Sequence, residues 1–142
     1  MESALDWFRW FFALFGGLLV GFLGGWDVAL QVLIYFVVLD YLTGVTAAFY
    51  EKNLNSEVGM WGIFRKIMLF IPIVVGYWLD TVAGVQVFRS LAIFFYMANE
   101  GLSLLENLGR VGIPIPEPLR AALEQMKQKA EDENERATIP KP

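Results

Sequence analysis

Long apolar blocks dominate this chain and leave little sequence for anything else. Between residues 10 and 39 the only charge is Asp27. Residues 67 to 79 carry none, and between residues 82 and 99 there is only Arg89. A helix of a water-soluble domain needs a continuous polar face, and these blocks have none. A hydrocarbon core of ~30 Å takes about 20 apolar residues to cross as a helix. The blocks therefore predict an all-α, polytopic membrane protein.

Composition narrows the chemistry. Hydrophobic residues make up 56% of the 142, charged residues 18%, and cysteine and histidine are absent. Disulfides, thiol chemistry and most transition-metal sites are thereby excluded, and no cofactor is implied. The net charge of −4 comes largely from an acidic C-terminal stretch, so there is no nucleic-acid footprint. The N-terminus opens with Glu2 and Asp6 and lacks the basic region of a cleavable signal.

Four spans are expected, at about residues 7–26, 28–50, 63–79 and 85–108, together forming a transmembrane domain over residues 1–108. Residues 109–118 are a Pro-rich spacer, in which three prolines favour extended chain. Residues 119–142 read as a short amphipathic helix, ending near Glu131, followed by a charged and unstructured tail. The helix has a narrow apolar stripe of Leu119, Ala122, Leu123 and Met126. Basic residues cluster between residues 51 and 66 and after residue 108, which places both termini in the cytoplasm. In a three-span alternative, the short aromatic first segment lies flat in the interface and the N-terminus moves outside.

In the first segment Ala13, Gly17, Gly21 and Gly25 recur every fourth residue, leaving one helix face bare. Such a face admits a second backbone, either of a neighbouring helix or of another protomer. Gly44 is a similar small residue in the second segment.

Ionisable groups within spans are costly, ~2.5–3.5 kcal/mol each on insertion scales, so they mark function or buried pairing. At 1.5 Å per residue, Asp40 lies roughly 15 Å from the cytoplasmic face, Glu100 roughly 10 Å and Lys66 about 6 Å, with Arg65 slightly nearer the surface. Lys66 is thus placed to neutralise Glu100 or Asp40, Glu100 being nearer in depth. Arg89, near the outer face, has Asp80 and Asp27 as candidate partners. Tyr96, Glu100, Ser103 and Asn107 form one polar stripe on the fourth segment, widened by Asn99 and Glu106. Asp40, Thr43, Gly44 and Ala47 form a weaker one on the second. These stripes either satisfy one another within the protomer or face water once protomers assemble. An intramembrane aspartyl protease built on Asp40 and Asp80 is disfavoured, because the two lie at different depths. No phosphate loop, Ser-His pair or metal cluster is present, so no enzyme is expected.

Asp40-Tyr41-Leu42-Thr43-Gly44, Ala47-Ala48, Leu54-Asn55-Ser56, Gly59, Gly62-Ile63 and Arg65-Lys66 resemble the core of the toxin-secretion/phage-lysis holin family. The run from Tyr96 to Ser103, then Glu106-Asn107, Gly112-Ile113-Pro114-Ile115-Pro116, Leu119 and Leu123, resembles its C-terminal signature. The resemblance spans about residues 28 to 129. It implies a bacteriophage-type holin of the host cytoplasmic membrane that homo-oligomerises in the lipid bilayer. Its lesions release an endolysin, or in clostridial relatives a toxin, without required direct contact. Asp40, Thr43, Arg65, Lys66, Arg89, Asn99, Glu100, Ser103 and Asn107 would then supply the intramembrane polar network or lesion lining. Ala13, Gly17, Gly21, Gly25 and Gly44 would supply packing and oligomer contacts. Competing classes are a small ion channel or transporter, and a membrane scaffold that docks a soluble partner through its tail.

Overall fold

A computed structural model of the chain describes residues 2–138. These form six helices: α1 (Glu2–Phe22), α2 (Val28–Tyr50), α3 (Ser56–Met68), α4 (Phe70–Ala83), α5 (Phe88–Arg110) and α6 (Glu117–Thr138). Among the described residues there is no strand.

Local chemistry sets the boundaries. α1 stops at Gly24 and Gly25, whose φ values of +80° and +115° are open to glycine at little cost. Gly25 therefore belongs to the turn and does not extend the small-residue face of α1. A Cβ on Gly24 would lie 2.4 Å from the Tyr77 ring, so this turn also needs glycine for space. Asp27 then caps α2 by accepting the Leu30 N–H at 2.9 Å.

Asn55 caps α3, accepting the Glu57 N–H at 2.9 Å. The helix of the third expected segment thus begins at Ser56, seven residues before the start that the position of Arg65-Lys66 suggested. α3 and α4 form a rod interrupted only at Leu69. Pro72 accounts for the interruption: it has no N–H to offer the Met68 carbonyl, and its ring crowds that carbonyl. α4 ends at left-handed Gly84. The buried Asp80 carboxylate caps the next helix by accepting the N–H groups of Val87, Phe88 and Arg89 at 2.9 to 3.0 Å.

Leu30, Leu33 and Val37 of α2, Leu69 and Ile73 of the rod, and Ile93 and Met97 of α5 form the core. At Gly76 the α4 backbone approaches α5 so closely that a Cβ would lie 2.8 Å from backbone atoms of Phe88 and Arg89. α2 and α5 run side by side in the same direction: Arg89 meets the turn before α2, and Arg110 meets Glu51 just after it.

One expectation changes here. The C-terminal helix continues to Thr138, seven residues past the expected end, and it is not a solvated appendage. Its Leu123 and Ala130 are buried, and Met126 packs against the core. The remaining tail, residues 139–142, lies outside the described residues. Three helices are long and apolar enough to cross a membrane: Leu5–Phe22, Val28–Tyr50 and Ser56–Ala83. α5 is not among them, because Arg89, Glu100, Glu106 and Arg110 interrupt its apolarity.

Candidate functional site: a polar seam between three helices

Lys66 lies ten residues from the start of α3, Asp40 ten residues before the end of α2, and Glu100 ten residues before the end of α5. The three helices share one end of the bundle, so the three groups meet at one level, roughly 15 Å in. The Lys66 ammonium bridges both carboxylates, bonding to Asp40 Oδ2 and to Glu100 Oε2. The either-or pairing suggested by depth is thus a single three-membered cluster. The earlier start of α3 explains why Lys66 lies deeper than expected.

Asn107 extends the cluster towards the helix ends. Its Nδ2 donates to Asp40 Oδ1 at 2.8 Å and to the Asp40 carbonyl at 3.2 Å, and approaches Thr43 Oγ1 at 3.4 Å. Gly44 lies against this amide: a Cβ there would stand 3.4 Å from Nδ2, at ordinary van der Waals contact. Thr43 donates to the Leu39 carbonyl at 2.8 Å. Arg110 donates to the Asn107 Oδ1 at 3.1 Å and forms a two-pronged pair with Glu51. That pair holds the Glu51 carboxyl below its ordinary value and raises the Arg110 guanidinium. No buried side-chain polar atom among the described residues lacks a partner.

A cavity of about 500 Å³ opens beside the cluster, between α2, α3 and α5. Arg65, Asn99, Ser103 and Tyr96 line it together with the three charged groups. Most of the polar stripe on α5 therefore faces one space. Arg65 is exposed at the cavity, while Asn99 and Ser103 are half-buried.

Arg89 stands apart, at the opposite end of the bundle. Its guanidinium bonds to Asp27 and to the carbonyls of Leu23 and Gly25, clamping the α1–α2 turn onto α5. Of its two candidate partners it takes Asp27, since Asp80 is engaged by backbone N–H groups. Burial opposes charge on Asp27, but the Leu30 N–H and Arg89 together hold its carboxyl below the ordinary 3.8.

The small-residue face of α1 meets nothing. No residue of Leu5–Phe22 is buried, and a Cβ on Gly16, Gly17 or Gly21 would find no atom within 4 Å. Ala13 is likewise exposed. The Glu51–Arg110 pair was not foreseen from sequence. Its one signal was that both residues close long helices.

The fold and the seam define a helical membrane protein with a buried polar network among its helices. Among the described residues, no group of three or more acidic, Cys or His side chains could hold a metal ion. The bacteriophage holin family matches residues 17–128, most of the chain, and the chain belongs to that family. An uncharacterised 14.9 kDa protein from the nagH 3′ region of Clostridium perfringens is 39% identical over 131 residues, covering 91% of this chain and 99% of the relative. YqxH of Bacillus subtilis, also uncharacterised, is 34% identical over 111 residues, 76% of this chain and 78% of its own. A protein of Bacillus phage phi105 named a probable holin is 35% identical over 88 residues, 61% of this chain and 65% of its own. No solved structure matches.

Proposed function

We propose that this holin-family protein accumulates in the host bacterial cytoplasmic membrane and assembles there into water-filled lesions that let an endolysin reach the cell wall. The single observation that carries the reading is the Asp40–Lys66–Glu100 cluster with its cavity, inside a bundle whose outer surface is apolar. Below an assembly threshold, these groups neutralise one another within one protomer. Lipid tails give helices no hydrophobic reason to associate, so small-residue packing and polar contacts must supply the drive. α1 offers the first through its bare face, and the seam offers the second. The polar residues around the cavity then become lesion lining.

In this reading α5 is a fourth span. Support comes from its alignment with α2 along the whole length, since a helix beside a spanning helix shares its depth. Three of its four charges, on Arg89, Glu100 and Arg110, are carried by Asp27, Lys66 and Glu51 rather than by lipid, and Glu106 is exposed one turn from the Arg110 end. Both termini are cytoplasmic, which puts Lys52 and the basic residues after Leu108 on the inner side. No direct contact with endolysin is required.

Inducible expression in a bacterium, with and without a cytoplasmic endolysin, tests the proposal. The expected outcome is a lag, abrupt loss of membrane potential, and lysis only when endolysin is present. Steady growth with intact potential at high membrane expression would overturn it. A graded, ion-selective leak without endolysin escape would instead identify a channel.

A further inference from the structure

We infer that α6 is a water-facing wall of the lesion, docked on α5 at membrane depth in the assembled state. The inference rests on the lesion-assembly reading above and assigns a new role to one helix within it.

α6 leaves the bundle at the Glu51–Arg110 end and turns back along α5. Leu123 sits on Gly101, where a Cβ would come within 3.0 Å of both Leu123 methyls and of the Phe36 ring. Gly101 is nine residues before the end of α5, so this contact lies roughly 14 Å from the Glu51–Arg110 end of a helix roughly 35 Å long. Met126 reaches the core that Ile93 and Met97 share with α2 and α4. The rest of α6 therefore continues towards the Arg89 end, through the depth that α2 and α5 occupy.

The opposite face of α6 decides what surrounds it there. α6 carries ten ionisable side chains in 22 residues, and Glu124, Lys129, Glu131, Asp132 and Glu133 point outward and exposed. Acyl chains exclude a face of that kind. The docked arrangement is stable only where water reaches bilayer depth beside α5, which is the condition of a lesion wall. In an intact bilayer the same helix must lie undocked in the aqueous phase. Docking and opening are thus two descriptions of one event.

The test uses the full chain, which has no native cysteine, reconstituted in liposomes loaded with dextrans of graded size. Wild-type release establishes lesion formation, and its absence would sink the assembly reading itself. Gly101→Cys with Leu123→Cys then reports docking by disulfide formation. We expect the bond to form in step with release, and release to continue once it has formed. A bond complete before release, with release blocked until reduction, would make α6 a detachable cover and overturn the inference. No bond under any condition, in protein that still releases dextran, would overturn it too.

Asp132→Cys, at an exposed position, gives a second measurement if the pair impairs folding. Modification with a bulky polyethylene-glycol maleimide should abolish release of the largest dextrans while small ones still pass. An unchanged size cut-off would place α6 away from the opening.

Discussion

Lys66→Met is the substitution with the largest consequence for this bundle. It replaces the one cation between Asp40 and Glu100 with an apolar group of similar length, taking the cluster from one net negative charge to two. All three side chains are less than a fifth exposed, at 17%, 8% and 15%, so solvent screening is weak. Removing one member of such a buried ion pair typically costs ~3–5 kcal/mol, because the other charge is stranded. The lower figure corresponds to about two powers of ten in the folded-to-unfolded ratio. The two carboxylates are not equivalent once Lys66 is gone. Asp40 keeps the Asn107 amide at 2.8 Å as a neutral donor, whereas the group left beside Glu100 is the Asp40 carboxyl itself. Glu100→Gln in the Lys66→Met background should therefore recover the larger share of stability, leaving a deficit of ~1–2 kcal/mol from imperfectly paired polar groups. Asp40→Asn in the same background should recover less. Equilibrium unfolding in mixed micelles measures all four proteins, and lysis timing follows the same order. A Lys66→Met protein as stable as wild type, or better rescue by Asp40→Asn, would refute this reasoning.

Two further expectations separate assembly from folding. Gly17→Leu with Gly21→Leu fills a face that touches nothing in the protomer, so it should leave unfolding unchanged while delaying or abolishing lysis and shortening the crosslinked oligomer ladder. Unchanged ladders and timing would show that the face is not an assembly surface. The Glu51–Arg110 pair predicts a pH effect. Arg110 holds the Glu51 carboxyl below its ordinary 4.5, so the pair's contribution is complete above that value and fades as pH falls through the lowered one. Thermal unfolding followed from about pH 6 to about pH 3 should show a small loss in wild type that Glu51→Gln lacks.

Much of the helix layout was legible because its signals are local. Asp27 ahead of a long apolar run sets the start of α2, and the Gly84 turn sets the end of α4. What misled was the reading of charge as surface. Arg65-Lys66 resembled a membrane boundary, yet Asn55 caps a helix that begins ten residues before Lys66. That shift turns a choice between Asp40 and Glu100 into a bridge to both. Charge misled again in α6. Leu119, Leu123, Met126 and Ala130 follow one helical stripe, but the density of acidic residues after Glu131 masked its last member. The partner of Arg89 could not be settled from sequence, because the choice between Asp27 and Asp80 depends on which carboxylate the first turn of α5 occupies.

The turn between α1 and α2 has a mechanical consequence. α1 is 21 residues long, a rod of roughly 31 Å, joined to the bundle only through the segment that Arg89 clamps at Leu23, Gly25 and Asp27. Such a rod is a lever: ten degrees of rotation at the two glycines carries its far end about 5 Å. The direction in which α1 points is therefore a property of a five-residue joint, held by the Arg89 guanidinium, by the Tyr77 ring beside Gly24 and by Leu23 against the core. Loss of the guanidinium would leave that aim to the Tyr77 and Leu23 contacts alone.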